Sequence, residues 1–230
     1  MKTIGLIGGM SWESTASYYR LLNQGVKQQL GGLHSAKIIL NSLDFDEIEK
    51  LQMSGDWDEL AVILSNAAMS LERAGADFIL ICTNTMHKVA NVIQKNVSIP
   101  LLHIADATGQ TLKAQGVNKV GLLGTRFTME QAFYKDYIEN KYGIDVVIPG
   151  DSDRDNVHQI IYQELCKGVI DRSSKDAYLS IIKGLAKEGA QGIILGCTEI
   201  GLLVKQQDTK IKLFDTTEIH AESAINKALS

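Results

Sequence analysis

Gly5-Leu6-Ile7-Gly8, near the start of the chain, returns as Gly121-Leu122-Leu123-Gly124, and Tyr18 and Tyr134 keep the same offset of 116 residues. A second pair of stretches, Leu71-Glu72-Arg73-Ala74-Gly75-Ala76 and Leu185-Ala186-Lys187-Glu188-Gly189-Ala190, lies at an offset of 114. Each of these leads through a helix end into an apolar run, Phe78 to Ile81 in the first case and Ile193 to Leu195 in the second. Self-similarity at a nearly constant offset marks a duplication, so the sequence predicts two similar α/β halves.

Working outward, further runs rich in β-branched residues occur at Thr3 to Ile7, Ala36 to Leu40, Ile99 to His103, Val120 to Leu123, Asp145 to Ile148 and Ile211 to Phe214. Segments with helical spacing separate them, among them Trp57 to Ala74, Glu130 to Lys141 and Lys175 to Glu188. Strand and helix in alternation imply parallel sheets. The strands read as continuous apolar runs, as expected where crossover helices bury both faces. The first half is expected over residues 1–103 and the second over 104–214, with a last helix in 215–230, from Thr216 to Leu229, returning to the first. No glycine/serine-rich or proline-rich linker intervenes, and the two prolines, Pro100 and Pro149, sit beside strands. Ligands of open parallel sheets bind beyond the carboxyl ends of the strands, which predicts a cleft shared by two facing halves.

With 23 basic and 27 acidic side chains dispersed along 230 residues, the formal charge of -4 provides no basic stripe for a nucleic-acid backbone. No apolar run approaches the roughly 20 residues that cross a bilayer, and Met1-Lys2 precedes a short strand where a secretory signal has a long apolar region. These readings predict a cytoplasmic protein without nucleic-acid or membrane partners. Three cysteines, Cys82, Cys166 and Cys197, cannot all pair, and no CxxC pair or histidine spacing suggests a metal site.

The chemistry concentrates in Gly196-Cys197-Thr198-Glu199, which places a thiol just past a buried strand and before an expected helix start. Free N–H groups and the positive end of a helix lower a cysteine's pKa from about 8.5, favouring thiolate; the alternative is an inert core cysteine. In the first half, the segment Cys82-Thr83-Asn84-Thr85-Met86-His87 ends the equivalent strand. The Gly-Ala anchors make Thr83 the counterpart of Cys197 and turn Cys82 into the packing. Asn84, Thr85, Thr198 and Glu199 form polar clusters at helix starts, suited either to holding a carboxylate or to capping. Gly8-Gly9-Met10-Ser11 is a glycine turn able to cradle an anion, although it lacks the dinucleotide fingerprint. His87 is read as orienting a neighbour or as an ordinary helix histidine. Cys166 is read as buried near a helix end closed by Gly168, and Lys167 as a cation for a carboxylate or a solvated surface lysine.

Taken together, Gly8-Gly9-Met10-Ser11, Thr83-Asn84-Thr85-Met86-His87 and Gly196-Cys197-Thr198-Glu199 resemble the motifs of the aspartate/glutamate racemase superfamily across nearly the whole chain. The resemblance implies an α/β fold of two Rossmann-like domains, with parallel sheets facing each other across a central cleft in a pseudo-twofold repeat. It implies racemisation of an acidic amino acid without pyridoxal phosphate or another cofactor, by two cysteines acting on opposite faces of the substrate. Here Thr83 stands in the place of the first cysteine. Cys197 is therefore expected to remove the α-proton of the L-enantiomer, with slow reaction from the D-enantiomer. The family pattern further suggests Met10 through its backbone, Gln52, Asn84, Thr85, Thr125, Thr128, Lys167, Thr198 and Glu199 as substrate contacts, and a homodimer. Gln52 lies where some relatives carry arginine, which leaves a neutral polar amino acid open as substrate. A single-cysteine decarboxylase or isomerase of the same superfamily, and a non-catalytic amino-acid-binding protein, are the competing readings.

Overall fold

The computed structural model describes all residues from Met1 to Ser230. They divide into one unit of Met1–Ile104 with His220–Ser230, and another of Ala105–Ile219. In chain order the first unit holds β1 (Ile4–Gly8), α1 (Trp12–Leu30), β2 (Ile38–Ser42), α2 (Phe45–Ser54), α3 (Trp57–Arg73), β3 (Phe78–Ile81) and α4 (Ala90–Lys95). Its sheet is parallel, ordered β2-β1-β3, with Gly5 opposite Ile39 and Ile79.

Both faces of this sheet are packed, which is why β1 and β3 read as unbroken apolar runs. Successive strand side chains point to opposite faces. Ile4, Leu6, Phe78 and Leu80 meet Tyr18, Leu22 and Val26 of α1, whereas Ile7, Ile79 and Ile81 meet Leu60, Leu64 and Leu71 of α3. β2 lies at the open edge, and Leu40 there is exposed.

The second unit follows from α5 (Ile104–Ala114) through β4 (Lys119–Gly124), α6 (Arg126–Glu130), α7 (Lys135–Tyr142), β5 (Asp145–Val147), α8 (Asp151–Gln163) and α9 (Arg172–Lys187). It then continues through β6 (Gly192–Gly196), α10 (Ile200–Leu203) and β7 (Lys212–Asp215) into α11 (Thr216–Leu229), whose residues from His220 onward lie in the first unit. Its parallel sheet is ordered β5-β4-β6-β7. No helix is long and apolar enough to cross a membrane.

The repeated sequence anchors are contacts in the fold. A Cβ on Gly5 would lie 3.3 Å from the Cβ of Leu71, and a Cβ on Gly121 would lie 3.3 Å from the Cβ of Leu185. In each unit the glycine thus lets a helix settle onto the central strand at the same point, and a side chain there would push it away.

Three segments differ from the sequence reading. Ile99 to His103 forms no strand: Leu101 makes one isolated bridge to Ile79, because Pro100 has no N–H to extend a ladder. Glu130 to Lys141 is not one helix, since Gln131 is extended and separates α6 from α7. α9 begins ahead of Lys175 because Asp171 accepts from the N–H groups of Ser173 and Ser174.

Candidate active site

β6 is buried at every position and ends on Gly196, where a Cβ would come within 2.9 Å of the Leu123 carbonyl oxygen. Only glycine fits so close to the neighbouring strand, and the next residue, Cys197, emerges partly exposed. Its Sγ donates to Glu199 Oε2 at 2.9 Å, and Thr198 Oγ1 donates to the same oxygen at 2.7 Å. Thr198 and Glu199 are both buried.

This environment reverses the thiolate expectation. Burial first, and then the charges of Glu199 and Cys166, hold the Cys197 thiol well above the ordinary cysteine value. The helix that was to lower it, α10, has four residues and starts only at Ile200. Nor does Thr198 cap that helix: the cap position is Glu199, which makes no side-chain capping bond, and the Thr198 hydroxyl is given to the carboxylate.

Thr125 caps α6, its Oγ1 accepting from the N–H of Thr128 at 3.3 Å and lying 3.2 Å from the Thr128 hydroxyl. Thr128 abuts the strand ends, with its Cγ2 3.2 Å from where a Cβ on Gly196 would stand. Cys166 sits in the short 3-10 turn Leu165–Lys167, closed by left-handed Gly168, and is partly exposed, not buried as the sequence suggested. Lys167 is exposed, and its Nζ donates to Gln163 Oε1 at 3.0 Å.

In the first unit β3 leads through Cys82 to Thr83. Cys82 lies in the core against Tyr18 and Leu22, and burial pushes its thiol far up. Thr83 is half-buried, while Asn84 and Thr85 are buried. The two sheets share one register: Gly5 pairs with Ile79 in the first and Gly121 with Ile193 in the second. Counting four residues on from each partner reaches Thr83 and Cys197, which are therefore topological counterparts.

His87 braces the Thr83 turn. Its Nδ1 lies 2.8 Å from the Thr83 carbonyl oxygen, which can only accept, so Nδ1 carries the hydrogen; Nε2 then accepts from the Ile104 N–H at 3.2 Å. Burial, followed by His103 and His220, keeps this ring neutral by lowering its pKa well below the usual histidine value. The His87 ring centroid is 4.6 Å from that of His103 and 5.9 Å from that of His220, a grouping that no spacing in the sequence announces. His87 and His220 each have both ring nitrogens engaged, so the cluster is a hydrogen-bonded brace and not a ligand set.

Gln52, on α2, is buried and donates to Met86 Sδ at 3.1 Å. Met10 is buried beneath the glycine turn, where the Gly9 N–H donates to Thr15 Oγ1 at 2.8 Å. That amide is thus committed internally.

A family model described as Asp/Glu/Hydantoin racemase matches residues 7–224. Among solved structures, the chain is similar to a candidate Asp/Glu racemase from Yersinia pestis at 60% identity and TM-score 0.94, covering 100% of both chains. It is also similar to an aspartate racemase homologue from Pyrococcus horikoshii OT3 at 37% identity and TM-score 0.87, again over 100% of both chains. A broad specificity amino-acid racemase of Bacillus subtilis (strain 168) is 26% identical over 182 residues, 76% of this chain and 75% of that protein.

Proposed function

The chain belongs to the Asp/Glu/hydantoin racemase family and is an amino-acid racemase, and we propose that it acts on aspartate and glutamate without a cofactor, preferring the L-enantiomers. The observation that carries this reading is the Cys197 thiol, presented at the end of β6 and hydrogen-bonded to the buried Glu199 carboxylate. Cys197, as thiolate, takes the α-proton of the L-amino acid; the C–H electron pair stays on Cα, and the opposite face is reprotonated by the Thr83 hydroxyl. Threonine is a far weaker base than a thiolate at neutral pH, so abstraction from the D-enantiomer is slow. The end point is still the racemic mixture, since the asymmetry lies in rates.

Met10 through its backbone, Gln52, Asn84, Thr85, Thr125, Thr128, Thr198 and Lys167 are proposed to position the substrate. Thr128, packed beside Gly196, and Thr125, whose buried hydroxyl lies 3.2 Å from that of Thr128, support this assignment on the Cys197 side. A cytoplasmic homodimer completes the proposal, to be checked by sedimentation.

The decisive test is α-proton exchange in heavy water with separate L- and D-aspartate and L- and D-glutamate. Exchange mainly from the L-forms, abolished in Cys197→Ala and extended to the D-forms in Thr83→Cys, is expected. Equal initial exchange from both enantiomers in the wild type refutes the asymmetric mechanism.

A further inference from the structure

We propose that Glu199 is the positioning residue that takes the proton of Cys197, so that the two side chains act as one thiol–carboxylate couple carrying a single proton. This deepens the racemase reading above and rests on it. The geometry is specific: Glu199 Oε2 accepts from Cys197 Sγ at 2.9 Å and from Thr198 Oγ1 at 2.7 Å. Two negative charges 2.9 Å apart repel too strongly for both groups to be ionised. Cys166 from the 3-10 turn and Tyr178 from α9 also lie within electrostatic reach of Cys197, and both are acids. The couple therefore holds one proton between the two groups.

The resting form is Cys197–SH with the Glu199 carboxylate. For the thiol to act as a base, its S–H bond breaks and an O–H bond forms on Oε2, giving thiolate and carboxylic acid. The thiolate then takes the α-proton. The couple passes from one negative charge to neutral while a negative charge develops on the substrate, so the repulsion that would oppose carbanion formation is removed as it forms. After Thr83 has protonated the opposite face, the couple returns one proton to solvent and Thr83 regains one from it. The balance closes with no other reactant.

Iodoacetamide alkylation of Cys197 across pH, resolved by peptide mass spectrometry, measures the thiol directly in the whole protein. Glu199→Gln keeps the shape and the Thr198 hydrogen bond but removes the charge. It is expected to move the Cys197 midpoint down by about one pH unit or more, about tenfold more thiolate at a fixed pH, and to lower α-proton exchange from L-aspartate at least tenfold. A more acidic thiol with a slower reaction is an outcome that a merely structural role does not produce. Glu199→Asp, which retains the charge, is expected to keep the midpoint raised and to recover part of the exchange. An unchanged midpoint in Glu199→Gln overturns the proposal, and so does a lowered midpoint with undiminished exchange. If wild-type protein exchanges no proton from any acidic amino acid, the racemase reading fails, while the alkylation midpoint still decides whether Glu199 governs the thiol.

Discussion

Replacing His220 tests the buried histidine brace through its pH dependence. His220 is fully buried, with Nδ1 2.8 Å from the Tyr18 hydroxyl and Nε2 2.8 Å from the Leu102 carbonyl oxygen. The carbonyl only accepts, so Nε2 carries the hydrogen and Nδ1 receives the tyrosine's. Burial is the main cause lowering its pKa to about 3, with His103 adding to it. The unfolded chain takes up a proton near pH 6.5 and the folded one only near 3, so the unfolded state binds more protons in between. Stability is full above about 6.5 and falls as the pH drops through this window. From pH 7 to pH 5 the loss from this one ring is about 2 kcal/mol. It is set almost wholly by the unfolded value, because the folded ring is still neutral at pH 5. His220→Gln keeps a donor for Leu102 and cannot titrate. Urea unfolding at pH 7 and pH 5 should show the variant less stable at pH 7 but losing about 2 kcal/mol less than wild type on acidification. Equal losses in the two proteins would mean that His220 is protonated in the fold or that the brace opens before the chain unfolds.

Two further changes address the scaffold. Gly9 has φ of +88° and a Cβ there would collide with the Leu43 carbonyl oxygen, so Gly9→Ala should cost more than about 2 kcal/mol in thermal or urea unfolding; a loss under about 0.5 kcal/mol would refute the close approach. Asp215 carries the opposite pH signature to His220, because burial raises its carboxyl to about 6. Its contribution is greatest below pH 4 and is lost as pH rises through 6, so Asp215→Asn, which still caps Thr217, should gain up to about 3 kcal/mol over wild type at pH 8 and nothing at pH 4. A gain independent of pH would contradict it.

The duplication was legible in the sequence because its anchors are physical contacts. Gly5 with Leu71, and Gly121 with Leu185, each fix where a helix may approach a central strand. A substitution at any of them shifts the whole layer, so the pattern stays visible after the surfaces have diverged. The inner strands were legible for a related reason, since both faces are packed and leave no polar positions to blur the run. Ile99 to His103 misled because β-branched residues describe burial as well as pairing, and Pro100 stops the ladder there. The break between α6 and α7 left no such mark, for Gln131 is neither glycine nor proline.

The reactive positions follow the same logic at the scale of one residue. In each sheet the central pairing is the same, Gly5 with Ile79 and Gly121 with Ile193, so the anchored offset carries Thr83 onto Cys197 and Cys82 onto Gly196. Aligning the two Cys-Thr dipeptides instead slips the second unit by one residue and turns every side chain of that strand to the wrong face. The consequence is physical: Cys82 is a core residue beside Tyr18, while its counterpart Gly196 has no room for a Cβ against the Leu123 carbonyl oxygen. What sequence order does not encode is the charge state of the thiol that follows. A helix start was expected to lower it, yet α10 is a single turn, and burial, followed by the carboxylate two residues on, raises it. The motif names the thiol, but only the folded contact between Cys197 and Glu199 tells which group holds its proton.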